Sequence, residues 1–287
     1  MPIPSIWTGI YVEESASRAI RLLHECGWEC FELCTEHLAQ IQSDPQPERE
    51  IEAVVQALQD LRATMPQAHA HLRANIAHPE QARRELDMAL ILQQLPVCAQ
   101  LGVRHVVLHP GVGTGHTTAE ELRAIRELNL ANLSRLADRA GELGLVLAIE
   151  NGTDHARTGR RRLGARMEEL LDLIATLGSP AVAVAFDSSH ANVQKLDCGA
   201  CIRQLGRHLV CTHLSDNNGL GDQHLTPGNG TVDWPGVVAA LREIGYQGTL
   251  NLEIPGERHP VPEVLRLKMR HARAVAGWLA GELTQAR

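Results

Sequence analysis

Short β-rich runs alternate with longer helical patterns along the whole chain, and this alternation constrains the fold more than any other feature. Eight runs predict strands, at residues 5–11, 28–33, 67–71, 104–109, 145–150, 181–187, 208–213 and 249–253. Amphipathic stretches predict helices at residues 16–26, 48–65, 79–101, 119–143, 165–177, 234–244 and 264–283. The eightfold alternation favours a closed (β/α)8 TIM barrel, an α/β fold, although an open doubly wound sheet shows the same local pattern.

The chain is long enough to bury one large core and is expected to be a single domain over residues 1–287. It has 287 residues, 44% of them hydrophobic, and α/β barrels commonly reach this length as one domain. No shift in composition and no Gly/Ser-rich linker marks a second domain. Pro96 lies inside the predicted helix 79–101, so a break or kink is expected there.

Charge and composition favour a small-molecule ligand over nucleic acid. The 34 acidic residues outnumber the 27 Lys and Arg residues, the formal net charge is -7, and aromatic residues make up 3%. This balance gives no electrostatic reason to approach a polyanion over a broad face. A basic and apolar leader pattern is absent, and no apolar run approaches about 18 residues. A cytoplasmic protein without membrane association is expected; a homo-oligomer is compatible with these features, which do not determine the oligomeric state.

The seven cysteines argue against a disulfide framework, because their number is odd and most fall within predicted strands or helices. Cys198 and Cys201 have the spacing of half a metal or redox site. With no second such pair, they are interpreted as ordinary residues at the start of a helix.

Acidic and imidazole side chains stand at the ends of the second to the eighth predicted strands. In chain order they are Glu32, His69, His109, Glu150, Asp187, His213 and Glu253. In a parallel barrel the carboxyl ends of all strands open on the same mouth. These side chains are therefore predicted to gather there.

The last four of them form a candidate metal site and are called the quartet: Glu150, Asp187, His213 and Glu253. Three carboxylates and one imidazole suit one divalent ion such as Mn²⁺, Co²⁺ or Zn²⁺ and leave positions open for substrate oxygens. Without an ion, converging carboxylates would repel one another and raise one another's pKa values. The alternative is that each is a solvated residue at a strand end.

A second polar group follows the same strands. His190 lies three residues beyond Asp187, and Asp222 and His224 fall in residues 215–233, the longest stretch without a predicted element. Together with His69 and His109, these three residues would either bind hydroxyls of a polyol or hold one or two further metals. Substrate binding is the preferred interpretation.

A basic cluster follows the fifth predicted strand and comprises Arg157, Arg160, Arg161, Arg162 and Arg166. Guanidinium groups bind phosphate or carboxylate oxygens in pairs, so an anion clamp is one interpretation, and a solvated basic loop is the preferred one. The glycine-rich run HPGVGTGH at 109–116 lacks the third glycine of a dinucleotide fingerprint and is interpreted as a flexible loop.

On these residues the chain resembles the xylose isomerase-like barrel superfamily, which groups sugar phosphate isomerases and epimerases with apurinic endonucleases of the endonuclease IV type. The resemblance covers nearly the whole chain. It is carried by HPG at 109–111, IEN at 149–151, FDSSH at 186–190, HLSDN at 213–217, DQHLTPGNGTVDW at 222–234 and LEIPGE at 252–257.

In the isomerase and epimerase branch, the resemblance implies that the quartet binds one divalent metal. Glu150 and Glu253 would be the acid and base that move a proton next to a carbonyl through an enediolate. Glu32 and His190 would position substrate hydroxyls. The expected activity is isomerisation or epimerisation of a sugar, a sugar phosphate or a polyol-related keto compound. An inosose-type dehydratase or lyase needs the same base and metal and is one alternative, and a non-catalytic sugar-binding module is another.

In the endonuclease branch, the resemblance implies three zinc ions, and each ligand position has a match. The three sets are His69, His109 and Glu150; Asp187, His213 and Glu253; and His190, Asp222 and His224. The run after His69 reads AHLRAN rather than an aromatic-containing run, and the chain is acidic with few aromatic residues. An enzyme that extrudes a nucleotide needs wedges and a basic surface, so the endonuclease is the less favoured activity.

Overall fold

Eight parallel strands form a closed barrel in the computed structural model, which describes residues 2–113, 118–154, 160–255 and 261–284. Each strand pairs with the next along the chain, and the last pairs with the first, so the predicted TIM barrel is confirmed. The strands are β1 (Ile3–Trp7), β2 (Cys30–Leu33), β3 (Thr64–His69), β4 (His105–Leu108), β5 (Val146–Glu150), β6 (Val182–Asp187), β7 (Leu209–Leu214) and β8 (Thr249–Leu252).

Helices follow the strands and bury their apolar faces against the barrel. They are α1 (Ala16–His24), α2 (Thr35–Ser43), α3 (Pro47–Leu61), α4 (Gln81–Gln100), α5 (Ala119–Glu142), α6 (Met167–Leu177), α7 (Ser188–Val193), α8 (Cys198–Leu205), α9 (Trp234–Glu243) and α10 (Pro262–Thr284). The sequence pattern had predicted no helix over α2 or α7. Both are short and begin directly after a strand, so their sequences show little of the 3.6-residue period.

The first strand is shorter than predicted, because the chain turns at Thr8. Residues Thr8–Tyr11 form a 3₁₀ helix instead of continuing β1. The Thr8 side chain is fully buried, and its Oγ1 accepts a hydrogen bond from the backbone N–H of Cys34, 3.0 Å away. His37 Nδ1 lies 2.9 Å from the same oxygen. These contacts hold the turn over the end of β2 and stop the strand.

The predicted break at Pro96 is wrong, since α4 runs through it from Gln81 to Gln100. Proline removes one hydrogen-bond donor from the helix interior. The face that includes Met88, Ile91 and Leu95 is nevertheless buried in the core, and this packing keeps the helix in one piece.

Small apolar side chains form a layer inside the barrel directly below its mouth. Val107, Ala148, Ala185 and Cys211 come from four adjacent strands and make a buried cluster separate from the main core. Side chains alternate between the two faces of a strand, so the residue two positions further on points the same way. Those residues are His109, Glu150, Asp187 and His213. The layer thus sets the inward direction of the polar side chains above it.

The seven cysteines are all buried and free. Cys198 opens α8, where Asp197 caps the helix by accepting from the backbone N–H of Ala200. In the part of the chain that the structure describes, no helix has the length and apolar character needed to cross a bilayer.

Candidate metal centre and active site

The quartet converges at the mouth of the barrel. Each of its four residues offers one ligand atom, and these atoms all lie within 4.8 Å of one another, on side chains that are buried. Glu150 and Asp187 end β5 and β6, and the registers of neighbouring strands bring Asp187 beside His213. The structure thus brings together the four residues that the strand-end pattern selected.

The two carboxylate oxygens of Asp187 differ, because one forms a hydrogen bond with the backbone and the other has no hydrogen-bond partner among the described residues. Its Oδ1 caps α7 by accepting from the backbone N–H of His190 at 2.8 Å. Its Oδ2 is buried and has no hydrogen-bond partner among the described residues, although buried carboxylate oxygens are normally satisfied. An unpartnered oxygen, set beside two glutamates and an imidazole, fits a bound divalent cation.

His213 turns one ring nitrogen to each side. Its Nδ1 lies 2.9 Å from Oε1 of Glu150 and 3.3 Å from Oε2 of Glu253, inside the quartet. Its Nε2 donates to Oε1 of Glu32 at 2.9 Å, on the opposite side of the ring. The nitrogen available to a metal is therefore Nδ1.

Glu32 lies behind His213, which corrects its expected contact with substrate hydroxyls. Its side chain is 0% exposed, and its Oε2 accepts a hydrogen bond from Nδ2 of Asn251. With both oxygens engaged by protein groups, Glu32 has no face left for a substrate. The strand-end position was predicted correctly, but the alternation of strand residues could not show that Glu32 points at a neighbouring imidazole.

The charges of the quartet shift its pKa values in opposite directions. Burial lowers the pKa of His213, but the carboxylates of Glu32 and Glu150 outweigh it and hold that pKa well above its usual value. Burial raises the pKa of Glu150, yet His213 and His109 bring it well below the usual range. For Glu253, burial dominates and the pKa is raised. The quartet therefore combines an imidazole whose pKa is raised with two glutamates whose pKa values are shifted in opposite directions.

His69 and His109 stand on the other side of Glu150. His69 donates from Nδ1 to the carbonyl of Ala70 at 2.7 Å and from Nε2 to Oε2 of Glu150 at 3.2 Å. His109 Nε2 lies 3.5 Å from the same oxygen, and burial lowers the pKa of His109 to about 4. The ligand atoms of His69, His109 and Glu150 also lie within 4.8 Å of one another.

His190, Asp222 and His224, here called the outer trio, form a connected group above the quartet. The Nε2 atoms of His190 and His224 each lie 3.2 Å from an oxygen of Asp222, and Ser189 Oγ donates to Oδ1 of Asp222 at 2.7 Å. His224 has a φ of 49°, in the left-handed region that a non-glycine residue adopts at a cost. Its Nδ1 lies 3.0 Å from the Glu253 carbonyl, so this conformation turns the ring toward the mouth.

Asp216 anchors the loop that carries Asp222 and His224. Its Oδ2 accepts from the indole Nε1 of Trp234 at 2.9 Å and from the backbone N–H of Gly228 at 2.9 Å. Its Oδ1 accepts from the backbone N–H of Val232 at 3.1 Å, and its own backbone pairs with Leu225 in both directions. The loop thereby holds His224 beside Asp187 and Glu253 of the quartet. Asp216 belongs to the segment HLSDN that the sequence singled out, but the groups that its carboxylate binds are evident only from the structure.

Asn151 joins the ends of β5 and β6, a role that the sequence did not indicate. Its Oδ1 accepts from the backbone N–H of Asp187 at 2.7 Å, and its Nδ2 donates to the Asp187 carbonyl at 3.0 Å. The Asn151 carbonyl in turn lies 2.8 Å from Nδ1 of His190. One residue thus sets the position of a quartet member and of an outer-trio member.

An open cavity of about 310 Å³ adjoins the outer trio. His109, His190 and Asp222 line one side of it, and Arg73 and Arg162 also line it. Members of the predicted basic cluster therefore differ in their surroundings. Arg161 pairs with Glu169, and Arg166 Nη2 pairs with Asp154 at 2.9 Å, whereas Arg162 borders the cavity. Arg157 and residues 114–116 of the glycine-rich run lie outside the described residues.

Comparison with known proteins places this chain in one family. The family model for the xylose isomerase-like TIM barrel matches residues 20–275, and the chain belongs to that family. The solved structure of a D-tagatose 3-epimerase-like protein superposes with a TM-score of 0.80 over 98% of this chain and 99% of that one, at 22% identity. This likeness shows the shared fold.

Two curated relatives represent the two branches of the family. The chain is 30% identical to a D-psicose 3-epimerase of Enterocloster bolteae over 134 residues, which are 47% of this chain and 40% of the relative. It is 32% identical to a probable endonuclease 4 of Nitratidesulfovibrio vulgaris over 181 residues, 61% of this chain and 59% of the relative. The chain spans less than two thirds of the length of the curated relatives it matches.

Proposed function

We propose that this protein is a divalent-metal-dependent isomerase or epimerase acting on a sugar, a sugar phosphate or a polyol-related keto compound. The proposal rests on one observation: the carboxylates of Glu150 and Glu253 both lie close to Nδ1 of His213. Oδ2 of Asp187, which has no hydrogen-bond partner among the described residues, belongs to the same group of ligand atoms. Two carboxylates at one centre can serve as base and acid for the same carbon. The likeness to sugar epimerases supports this activity.

The quartet would hold the metal, which we propose to be Mn²⁺, Co²⁺ or Zn²⁺. Such an ion, when bound, polarises the carbonyl and hydroxyl oxygens of the substrate and stabilises the negative charge of an enediolate. One glutamate carboxylate removes the proton from the carbon next to the carbonyl. The other delivers a proton to the opposite face of that carbon or to the neighbouring carbon. His190 and His224 line the approach and donate hydrogen bonds to substrate hydroxyls.

The free and buried state of all seven cysteines accords with a reducing compartment, and we propose that the protein works in the cytoplasm.

The experiment that tests the proposal measures exchange of the substrate's α-proton with deuterated water. A panel of ketoses and inososes would be incubated with the wild type, Glu150→Gln and Glu253→Gln, and followed by NMR. We expect exchange in the wild type and its loss in both variants, because each amide can no longer carry the proton. Retained exchange in both variants would contradict the mechanism. Loss of water from the product, seen by mass, would instead indicate the dehydratase or lyase.

A second candidate is a three-metal endonuclease, and one observation favours it. Besides the quartet, His69, His109 and Glu150 form a ligand group, and so do Asp187, His190 and His224. Elemental analysis of protein purified without chelator separates the two candidates. About one divalent ion per chain supports the isomerase or epimerase, and about three zinc ions, with cleavage of abasic duplex DNA, support the endonuclease.

A further inference from the structure

We infer that the cavity beside the outer trio is an anion subsite, in which Arg73 and Arg162 hold a phosphate or carboxylate group of the substrate. The inference rests on the proposed function and names the class of substrate that the site selects. A neutral sugar would leave this part of the cavity without a matching group.

The two arginines reach the cavity from different parts of the fold. Arg73 follows β3 on the way to α4, and Arg162 follows β5 on the way to α6. Both line the same cavity as His109 and His190. His109 and His190 also lie 3.5 and 3.7 Å from the carboxylate of Glu150 in the quartet, so a substrate that extends from the quartet past these two rings enters the cavity that Arg73 and Arg162 line.

Arg73 and Arg162 lack an internal counter-ion among the residues that the structure describes. Within the described ranges, no carboxylate forms an ion pair with Arg73 or Arg162, and both residues are exposed. Two members of the basic cluster behave differently, because Arg161 pairs with Glu169 and Arg166 with Asp154. The structure thus removes two charges of the basic cluster by internal pairing and leaves one at the cavity.

The carboxylate in the cavity wall is already engaged. Asp222 accepts from Ser189 and lies 3.2 Å from both His190 and His224, and these neighbours hold its pKa far below the usual value despite partial burial, which raises it. It is therefore not the counter-ion of the two arginines. In a chain with a formal net charge of -7, two unpaired cations on one cavity are a local exception. Planar guanidinium groups bind the oxygens of phosphate and carboxylate in a bidentate manner, which makes such anions the matching ligands.

The test compares the affinity of charged and neutral ligands for the metal-loaded full chain by calorimetry. The ligands are D-ribulose 5-phosphate, D-ribulose, D-glucuronate and inorganic phosphate. The variants are Arg73→Gln and Arg162→Gln, and the control is Arg83→Gln, because Arg83 is an exposed arginine on α4 that does not line the cavity. Thermal melting of each variant checks that its fold is kept.

We expect the wild type to bind at least one of the two charged sugars about tenfold or more tightly than D-ribulose, since a charge-assisted hydrogen bond contributes that much. A preference for D-ribulose 5-phosphate over D-ribulose would identify a phosphate subsite, and a preference for D-glucuronate would identify a carboxylate subsite. Each cavity variant should bind the charged sugar about five- to tenfold more weakly than the wild type does and bind D-ribulose with unchanged affinity. The control variant should bind both sugars as the wild type does. Inorganic phosphate should compete only with the charged ligand.

Equal affinity of the wild type for all three sugars, or an unchanged preference in both cavity variants, would overturn the subsite. Abasic duplex DNA is titrated as a further ligand, and a loss of affinity in the cavity variants that is confined to this DNA would overturn the subsite as well, because the arginines would then contact a nucleic acid. The outcome is separate from that of the proposed function. Binding of charged sugars without proton exchange would refute the activity alone, and exchange with neutral sugars only would refute the subsite alone.

Discussion

Glu32 and His213 form a fully buried carboxylate–imidazole pair, with Oε1 of Glu32 2.9 Å from Nε2 of His213. The pair comes from β2 and β7, which are separated by β8 and β1 around the barrel. The carboxylate keeps the proton on Nε2 and thereby turns Nδ1 toward the quartet. Glu32 is therefore a positioning residue for a candidate metal ligand.

Replacing Glu32 by glutamine should weaken metal binding by about 10- to 100-fold, as is usual when the partner of a ligand histidine is changed. The amide can no longer orient a protonated Nε2 as strongly as a carboxylate does. Competition with a chelating dye measures the affinity, independently of turnover. Glu29→Gln is the matched control, because Glu29 is an exposed glutamate just before β2. Equal metal affinity in Glu32→Gln and the control would refute the positioning role.

Metal binding should release protons. His213 and His190 have pKa values well above the usual value in the metal-free protein, and the pKa of His224 is raised to about 10, because their carboxylate neighbours outweigh burial. A raised pKa favours the charged form of a ring, whereas a metal requires a neutral ring nitrogen. Calorimetric titration in buffers of different ionisation enthalpy should show at least about one proton released per ion. An enthalpy independent of the buffer would contradict this.

The metal-free protein should lose stability in acid. Burial lowers the pKa of His37, His105 and His109, the last to about 4, so these rings fold in the neutral form. A depressed histidine pKa favours folding above the unfolded value, about 6.5, and that stability is lost as the pH falls below it. Urea denaturation between pH 7 and pH 4 measures the slope.

His37→Gln isolates one of these groups. The His37 ring joins Thr8 to the segment before α1 through Oγ1 of Thr8 and the carbonyls of Tyr11 and Glu14. The variant should be less stable at pH 7, and its slope below pH 6.5 should be shallower by up to about 1.4 kcal/mol per pH unit. His208→Gln is the control, because His208 is a half-buried histidine at the end of the 3₁₀ helix Gly206–His208, outside this contact. A slope identical to that of the wild type would show that His37 does not titrate on unfolding.

Asp216→Ala should destabilise the protein by about 2–4 kcal/mol, because it leaves a buried indole N–H and three backbone N–H groups without an acceptor. The indole belongs to Trp234, and the backbone groups belong to Asn217, Gly228 and Val232. Limited proteolysis should show cleavage within residues 215–233 before global unfolding. Asp233→Ala, which removes only the cap of α9, should cost about 1 kcal/mol and leave the loop resistant. Equal effects of the two substitutions would show that Asp216 does not anchor the loop.

The fold and the quartet could be predicted from the sequence, because both depend on short-range regularities. Strand residues alternate with a period of 2, and parallel strands expose the same end. Glu150, Asp187 and His213 each sit at that end, so their convergence follows once the barrel closes. The strand order and direction of the barrel are therefore enough to predict which residues of the candidate site come together.

The supporting contacts could not be predicted, because they join residues distant in sequence whose side-chain directions depend on packing. Glu32 and His213 are 181 positions apart, and nothing local shows that the carboxylate meets a ring rather than solvent. Thr8 stops β1 through a contact with Cys34, although its own sequence continues a strand pattern. The division of the arginine cluster likewise depends on where Asp154 and Glu169 lie.

The loop over the mouth also has a kinetic consequence. Asp216 ties it to the first residue of α9, and Asp222 and His224 are held by neighbours before any ligand arrives. These residues lose their conformational entropy when the chain folds rather than when a ligand binds, so the binding surface is preorganised. We therefore expect association rates set by diffusion and steering, without the slow phase that closure of a mobile cover would add.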